Sequence, residues 1–357
     1  MRRRQLIATG ATAGVLAAPA MAQDTIKWSM VMPWPRNTPG VGTNAERFAK
    51  RVEAMSGGRI QIRLYAAGEL VPPFEGLDAV QRGTADLAHG TPYYWVGKSA
   101  ALHFFTGVPF GFTSAELAAW LYYGGGMDLW REVYGGLGVV PFYAGSSGVQ
   151  AGGWFRKEIN NLDDLKGLKF RIAGLGAEVM RRLGAVPETL PPGEISAALL
   201  SGRIDAAEWI GPWNDLAFGL FKVAKYYYIP AFHEPGPGLE IIVNKDRWAV
   251  LPPDLQAIVE AAASATANET YADFVYHNIV SLKPLVDEHG VEVRTWPDDV
   301  VVAMGQQSFA IYEELAAKDD LTRRIHTSVI DFLRQANAYG QLFDARLLAM
   351  RQMVLGT

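Results

Sequence analysis

The residues best able to do chemistry in this sequence are polar side chains set in apolar and aromatic stretches. Arg171 lies in a strand-like run at 167–172. A guanidinium in such a run can hold a carboxylate through two parallel hydrogen bonds. The spacing alone fits an arginine on a solvated strand face equally well. Arg171 is therefore a candidate for binding an organic anion, and a purely structural role stays open.

Two acidic residues beside aromatic ones form a second candidate set. Glu208 precedes Trp209, and Glu234 follows His233 in a short aromatic segment. Buried acids are costly unless they are paired. They either form salt bridges with arginines or ligate a hard cation through oxygen, with Gln150 supplying an amide oxygen. From the residues alone, the salt bridge is the favoured alternative.

Motifs that would indicate an enzyme are thin. The six histidines show neither i, i+4 pairing nor a His-Glu-x-x-His motif, which argues against a zinc site. The sequence has no cysteine, so thiolate ligands, disulfides and a cysteine nucleophile are excluded. Gly174-Leu175-Gly176 begins like a dinucleotide fingerprint, but Val179 stands where the third glycine belongs. The sequence favours a binding protein over a catalyst.

The N-terminus has the pattern of an export signal. Three arginines precede an apolar stretch at 6–18, and Ala20-Met21-Ala22 predicts cleavage before Gln23. The run at 3–7 also fits the twin-arginine pattern, so we predict a twin-arginine signal peptide at 1–22 and a periplasmic location. Its removal takes away three of 33 basic residues and none of 37 acidic ones, which moves the formal net charge from −4 to −7. Nucleic acid is therefore a poor partner.

The order of predicted elements is that of an α/β fold. A strand-like run at 26–32 precedes a helix with Thr43 and Glu46 as its capping box, and an alternating strand follows at 59–65. A quasi-repeat then relates 79–88 to 198–207, each a helix that ends at glycine before a short buried strand. Strand ends in open α/β sheets point into the ligand crevice, so the repeat predicts two facing units.

The C-terminal third is predicted to be mostly helical. Apolar residues recur there at spacings of three or four: Ile325, Val329, Phe332, Ala336, Tyr339, Phe343, Leu347 and Met350. At about 1.5 Å per residue, one continuous helix over this stripe would be close to 40 Å long. Such a helix would brace both lobes, pack on a second subunit, or simply pack on its own domain.

Several segments resemble one known family. The resemblance is to the DctP-family binding proteins of TRAP transporters, in the branch that binds 2-oxo acids and lactate, and it is carried by residues 148–160, 167–171 and 205–212. It covers essentially the whole mature chain, with further matching segments at 67–72, 93–94, 124–126 and 221–228. The order of the motifs along the chain makes the resemblance specific.

The resemblance implies a ligand site. Arg171 takes the position of the family's carboxylate-binding arginine, and paired tyrosines correspond to Tyr93 and Tyr94. A sodium or calcium ion is held in that branch by residues that resemble Gln150, Glu208, the backbone carbonyl of Trp209, and Glu234. This implication reverses the preference for a simple salt bridge, because a hard cation can accept the carboxylate and the neighbouring oxygen of the solute together.

The resemblance also implies an architecture and partners. We expect a two-lobed periplasmic binding protein fold with hinge strands and long C-terminal helices, which closes around its ligand. The expected divisions are 1–22 as signal peptide, 23–146 as lobe I, 147–234 as lobe II, 235–270 as a return to lobe I, and 271–357 as a helical region bracing both lobes. The expected partners are the small and large membrane subunits of a transporter and, through the C-terminal helix, a second copy of the chain.

The ligand itself stays open between two expectations. The first is a small monocarboxylate, either a 2-oxo acid such as pyruvate or lactate, bound with a cation. Ser146-Ser147 and Trp95-Val96 depart from the family pattern near the site. The alternative is therefore a larger or aromatic carboxylate, or a mannitol-like solute, bound without an essential cation. A periplasmic enzyme on the same fold is the less favoured class.

Overall fold

A computed structural model describes residues 25–356, and the predicted signal segment lies outside them. The strands are β1 (Ile26–Val31), β2 (Ile60–Tyr65), β3 (Leu87–Gly90), β4 (Val139–Ser146), β5 (Gly153–Phe155), β6 (Lys169–Arg171), β7 (Val186–Glu188), β8 (Ala206–Ala207), β9 (Tyr226–Tyr228), β10 (Gly238–Asn244) and β11 (Glu292–Arg294). Between residues 25 and 356, no helix combines the length and apolar character needed to cross a membrane.

Helices cover both sheets and dominate the C-terminal part. They are α1 (Val41–Met55), α2 (Gly76–Gln81), α3 (His103–Thr106), α4 (Ser114–Tyr123), α5 (Gly126–Gly136), α6 (Gly174–Arg182), α7 (Ile195–Ser201), α8 (Pro212–Phe218), α9 (Lys245–Ala249), α10 (Pro253–Asp287), α11 (Asp298–Ala316), α12 (Asp320–Leu342) and α13 (Asp344–Leu355). The predicted α/β class is confirmed.

Two mixed sheets define the two lobes. Lobe I is built on the strand order β2-β1-β3-β10-β4, in which β10 runs antiparallel to β3 and β4. Lobe II is built on the order β11-β9-β5-β8-β6-β7, in which β6 is parallel to both β8 and β7. The predicted helical region 271–357 thus also contributes β11 to the second sheet. The predicted division of the chain into domains stays a prediction.

Two crossing segments connect the lobes side by side. The first, 147–152, leaves β4 for β5, and the second, 229–237, leads from β9 to β10. Their backbones are hydrogen-bonded to each other. The Gln150 backbone N–H donates to the Glu234 backbone carbonyl at 3.3 Å, and the Ala231 backbone N–H donates to the Gln150 backbone carbonyl at 2.8 Å. This pairing places polar residues of both segments between the lobes.

The first helix begins earlier than the sequence predicts. α1 starts at Val41 with Gly40 as its N-cap residue, and no side chain caps it. Thr43 instead donates its hydroxyl to the Gly40 carbonyl at 3.2 Å, so the predicted capping box with Glu46 is wrong. Gly40 has a φ of 69° and takes the N-cap position three residues before the expected N-cap at Thr43.

The predicted quasi-repeat is present in the structure. α2 and α7 both end near a glycine of positive φ, Gly83 at 71° and Gly202 at 75°. β3 and β8 then follow as short buried strands, one in each sheet. The two units therefore deliver the residues after β3 and after β8 to the space between the lobes.

Long helices pack across both lobes and beyond them. α10 has 35 residues, about 52 Å at 1.5 Å per residue, and it contacts β4 and α1 of lobe I and α8 of lobe II. The predicted C-terminal stripe is not one helix, because the assigned helix is interrupted at Phe343 between α12 and α13. Gly340, a weak helix former, lies just before the interruption. Ile325 and Val329 are buried, whereas the stripe from Tyr339 onward is exposed.

Candidate functional site

The candidate residues converge where strand ends and crossing segments meet. Arg171 ends β6 and Glu208 follows β8, and these strands are parallel neighbours with Arg171 opposite Ala207. The carboxyl ends of parallel strands lie at one edge of a sheet, so both side chains come from the same edge. The paired crossing segments bring Gln150 and Glu234 to this edge. The structure thus collects the candidates that the sequence singled out.

A buried ion pair is the centre of the site. Arg171 and Glu208 are each 1% exposed, and the guanidinium donates through Nη1 to the Glu208 carboxylate and, at 2.8 Å, to the Glu208 carbonyl. Its Nε and Nη2 donate to the Leu190 carbonyl at 3.2 Å. Burial opposes the charge of Glu208, but the Arg171 guanidinium holds the pKa of this carboxyl below its usual value. The salt bridge favoured from the residues alone is present for Glu208.

Glu234 and Gln150 have oxygens without partners. Among residues 25–356, Glu234 Oε1 and Gln150 Oε1 are buried and accept no hydrogen bond. Burial, together with the nearby Glu208 charge, raises the pKa of Glu234 to about 7. The Gln150 side-chain nitrogen donates to Ser147 Oγ at 2.9 Å, so within residues 25–356 the side-chain oxygen is the atom left without a partner. Buried oxygens without donors are suited to contact an electropositive group.

Aromatic side chains from both lobes enclose the charged groups. Tyr93 and Tyr94 follow β3 and are half-buried, with ring centroids 4.9 Å apart. The Arg171 guanidinium carbon lies 5.9 Å from the centroid of the Trp209 ring. The Trp209 ring also packs on Trp34 of lobe I, with ring centroids 6.1 Å apart. Water is thereby kept from the ion pair, which strengthens electrostatic interactions there.

Sequence reasoning missed two residues of this site, Trp34 and His233. Trp34 donates from Nε1 to His89 Nδ1 at 2.9 Å, and His89 Nε2 lies 2.8 Å from Asn44 Oδ1. Because burial lowers the pKa of His89 to about 3, this ring is neutral and donates from Nε2. The proline-flanked position of Trp34 and the place of His233 next to Glu234 are the signals that could have identified them.

Two glycines at the start of α6 allow close contacts with Tyr93 and with His233. A Cβ on Gly174, whose φ is 62°, would lie 3.2 Å from the Tyr93 ring of the opposite lobe. A Cβ on Gly176 would lie 2.7 Å from the Cβ of His233. The dinucleotide-like pattern in the sequence thus reflects close packing at the start of α6. A separate hydrogen bond joins the lobes, in which Asn214 of α8 donates to the Pro39 carbonyl at 2.8 Å.

The oxygens around the ion pair fit a hard cation. Calcium and sodium prefer carboxylate, amide and carbonyl oxygens, and the unpaired Gln150 and Glu234 oxygens are of this kind. No cluster of three or more His, Cys, Asp or Glu suited to a metal occurs within residues 25–356. A cation here would therefore depend on amide and backbone oxygens beside Glu208 and Glu234.

Comparison with known proteins identifies relatives of this chain. Residues 30–319 match the model of the DctP family, bacterial extracellular solute-binding protein, family 7. A monocarboxylate 2-oxoacid-binding periplasmic protein from Nostoc sp. is 41% identical over 354 residues, which is 96% of this chain and 96% of that protein.

Two solved structures share the whole fold. A TRAP periplasmic solute-binding protein from Pseudoalteromonas atlantica, with bound sodium and pyruvate, has a TM-score of 0.89 at 40% identity and covers 91% of this chain and 99% of its own. A TRAP solute-binding protein from Bordetella bronchiseptica, a dimer with calcium and picolinate, has a TM-score of 0.91 at 36% identity and covers 93% and 99%. The chain belongs to the DctP family of solute-binding proteins of TRAP transporters.

Proposed function

We propose that this protein captures a small 2-oxo monocarboxylate, pyruvate foremost, together with a cation, and delivers it to the membrane subunits of a TRAP transporter. Lactate, the 2-hydroxy counterpart, fits the same site. The observation that carries the proposal is the buried pair of Arg171 and Glu208 flanked by unpaired oxygens of Gln150 and Glu234. Proteins of this family are solute receptors of transporters and not enzymes.

Arg171 would hold the solute carboxylate. Its guanidinium is fixed by the Leu190 and Glu208 carbonyls, so little side-chain entropy is lost when an anion binds. Gln150, Glu208, the Trp209 carbonyl and Glu234 would hold the cation. When bound, the cation supplies positive charge that compensates the two carboxylates and the solute oxygens.

The ion pair couples the binding of anion and cation. If an anion bound to Arg171 alone, Glu208 would be left as a buried charge with a weakened partner, and removal of one partner of a buried pair costs several kcal/mol, about 3–5. If a cation bound alone, Arg171 would lose its counterion in the same way. The site is therefore best filled by both ions together, and each is expected to raise the affinity for the other.

Relatives support this ligand class. The Nostoc protein is named for 2-oxo monocarboxylates, and the Pseudoalteromonas protein holds pyruvate with sodium. The Bordetella protein holds picolinate with calcium, which favours an aromatic carboxylate as the second candidate for this chain. The aromatic enclosure formed by Trp34, Tyr93, Tyr94 and Trp209 is suited to such a ring.

A thermal-shift and calorimetry screen of solute-free protein tests the proposal. Pyruvate, lactate, longer 2-oxo acids, picolinate and mannitol are each added with sodium, with calcium, or with both ions replaced by choline. A ligand of the folded state raises the Tm. We expect pyruvate to raise it in the presence of either cation and to have little effect without one. If picolinate were the only acid to raise the Tm, the proposed ligand would be contradicted. If pyruvate raised the Tm equally with and without a cation, the proposed role of the cation would be contradicted.

The periplasm is the proposed location, on the basis of the signal-like residues 1–22 and the extracytoplasmic family. A fusion of residues 1–22 to a reporter that matures only when folded before export tests the twin-arginine route. We expect export to stop when Arg3 and Arg4 are both changed to lysine. Continued export of this variant would indicate the general secretory route instead.

We further propose that the chain forms a homodimer through its last helix. Within residues 25–356, α13 has no buried residue, although it carries exposed apolar side chains at Leu347, Leu348, Met350, Met353, Val354 and Leu355. An apolar patch of this kind marks an interaction surface. The dimeric Bordetella relative supports a second copy as the occupant. In light scattering, Leu347→Ser with Met353→Ser should give a monomer, whereas Leu200→Ser, an exposed leucine on lobe II, should not.

A further inference from the structure

His233 is a buried ring in the site that has no hydrogen-bond partner. Its residue is 2% exposed, and neither Nδ1 nor Nε2 is hydrogen-bonded within residues 25–356. Nε2 lies 3.6 Å from Glu208 Oε2, beyond hydrogen-bond distance. A buried imidazole with both nitrogens unsatisfied is unfavourable in the absence of a ligand, because each nitrogen has lost its water.

The position of this ring is fixed by its neighbours. The His233 Cβ packs on Gly176 of α6, where a Cβ in place of the glycine hydrogen would lie 2.7 Å away. The ring meets Phe232 edge to face, with centroids 5.3 Å apart. The backbone of the crossing segment is held by pairing with Gln150. The unpaired nitrogens are therefore presented in a set orientation and are not the ends of a loose side chain.

The geometry relates His233 to the solute carboxylate. Glu208 contacts Arg171 through Oε1 and approaches His233 through Oε2, so one carboxylate separates the guanidinium from the ring. For a small acid whose carboxylate binds Arg171, the second carbon is the position from which an oxygen would face the imidazole across Glu208. A 2-oxo or 2-hydroxy oxygen on that carbon accepts a hydrogen bond, whereas a plain methylene does not.

We propose that His233 donates a hydrogen bond to the oxygen on the second carbon of the solute, and so determines the preference for 2-oxo and 2-hydroxy acids over unsubstituted acids. This inference rests on the proposed function. A site that hydrogen-bonds a polar group discriminates strongly against the analogue that lacks it, because the buried donor is then left unpaired. The assignment gives the otherwise unsatisfied ring a partner that propionate cannot supply.

The test compares His233→Phe, His233→Gln and a matched control, His103→Phe, in calorimetric titrations with pyruvate and propionate. Within residues 25–356, His103 also has an unpartnered buried Nδ1, and its charged neighbour is Lys318 and not a group of the site. His233→Phe should weaken pyruvate binding by about 10–100-fold and change propionate binding by less than about threefold. His233→Gln, which keeps an N–H donor, should recover part of the loss. His103→Phe should change neither affinity.

Two further readouts separate a solute contact from other roles. The Tm of the solute-free protein should not fall in His233→Phe, because the change removes two unsatisfied nitrogens, and calcium binding without solute should be unchanged. An equal loss for pyruvate and propionate, a marked fall in Tm, or loss of calcium binding would overturn the assignment. Unchanged pyruvate affinity would do the same. If the unaltered protein binds no 2-oxo or 2-hydroxy acid at all, the proposed function itself fails.

Discussion

Buried acids inside the lobes and buried acids in the cleft have different partners. Glu240 of lobe I accepts hydrogen bonds from Trp95 Nε1 at 2.5 Å and Tyr134 OH at 2.6 Å. Asp215 of lobe II accepts bonds from Trp154 Nε1 at 3.0 Å and Tyr227 OH at 2.7 Å. Each interior carboxyl thus accepts from one indole and one phenol, and Asp215 also accepts from the Ile210 backbone amide at 3.4 Å.

The cleft acids have a mixed set of partners. The Ala173 backbone amide donates to Glu208 at 3.2 Å, and Tyr93 is a hydrogen-bonding neighbour of Glu234. Glu208 is paired with a guanidinium, and Glu234 has an oxygen without a donor. Burial raises the pKa of Glu240 and of Asp215 to about 7, as it does for Glu234, whereas Arg171 keeps the pKa of Glu208 low despite its burial. Burial therefore neutralises an acid unless a charge is supplied. Both interior acids accept hydrogen bonds within their own lobe, whereas Glu234 in the cleft keeps one oxygen without a donor among residues 25–356.

Replacement of Arg171 should give the largest loss of stability and of pyruvate affinity. Arg171→Met leaves Glu208 as an unpaired buried charge, so the free energy of unfolding should fall by about 3–5 kcal/mol and pyruvate affinity by at least about 100-fold. Urea denaturation and calorimetry measure the two effects. The double variant Arg171→Met with Glu208→Gln should regain most of the stability but not the binding.

An exposed arginine on the neighbouring helix provides the control. Arg182 pairs with Glu178 and Glu314 at the surface, so Arg182→Ala should change the unfolding free energy by less than about 1 kcal/mol. If Arg171→Met were as mild as this control, the buried pair would not be the centre of the site. Retained pyruvate affinity in Arg171→Met would contradict the proposed role of the Arg171 guanidinium.

The interior acids should make the protein less stable as the pH rises. The pKa of Glu240 is raised from 4.5 to about 7 in the folded state, so its contribution to stability is fully present below pH 4.5 and is lost as the pH rises through 7. At 1.36 kcal/mol per pKa unit, this loss is about 3 kcal/mol. Glu240→Gln cannot ionise, so its unfolding free energy should vary less between pH 4.5 and pH 8. Equal pH slopes for both proteins would show that Glu240 titrates normally.

Glu234, unlike the interior acids, should be needed for cation binding. Glu234→Gln keeps the size of the side chain but removes its charge, so calcium affinity should fall by about 10–100-fold. The solute-free protein should gain stability at pH 8, because burial no longer opposes an ionised carboxyl there. Calcium titrations and denaturation at pH 8 measure both changes. Glu314→Gln, at the surface, should alter neither, and a Glu234→Gln variant with normal calcium affinity would contradict the proposed cation ligand.

The sequence could predict those features of the site that depend on local patterns. The repeated turn from helix to strand placed Glu208 at a strand end, and the run around Arg171 placed the guanidinium on a neighbouring strand. The cost of unpaired buried acids favoured a salt bridge to an arginine, but it did not identify Arg171 as the partner of Glu208. The residues alone also suggested Glu234 and Gln150 as possible cation ligands, and the resemblance to the DctP family changed the preferred interpretation from a salt bridge to a cation site.

Features that depend on distant parts of the chain were not predictable in this way. Glu240 and its partner Trp95 are 145 residues apart, and no local pattern indicates that they meet. Trp34 joins the site only through its contact with Trp209 of the other lobe. The start of α1 was misplaced because Pro39 and Gly40 turn the backbone through a conformation that overrides the capping pattern at Thr43. Long-range packing, more than local propensity, thus decides these details.

The smallest expected effect concerns the tyrosines of lobe I. Burial and the nearby Glu234 charge raise the pKa of Tyr93 well above its usual value, so its hydroxyl keeps its proton and can only donate or accept as a neutral group. Tyr93→Phe should reduce pyruvate affinity by about 2–10-fold, the cost of one neutral hydrogen bond. Tyr94→Phe should cost less, because its ring packs on Phe74 with centroids 4.6 Å apart and this contact is retained. Tyr143→Phe, inside lobe I, should bind pyruvate like the unaltered protein. A larger loss for Tyr94→Phe than for Tyr93→Phe would show that the second tyrosine is the solute contact, and that lobe I contributes more than an aromatic cover to the cleft.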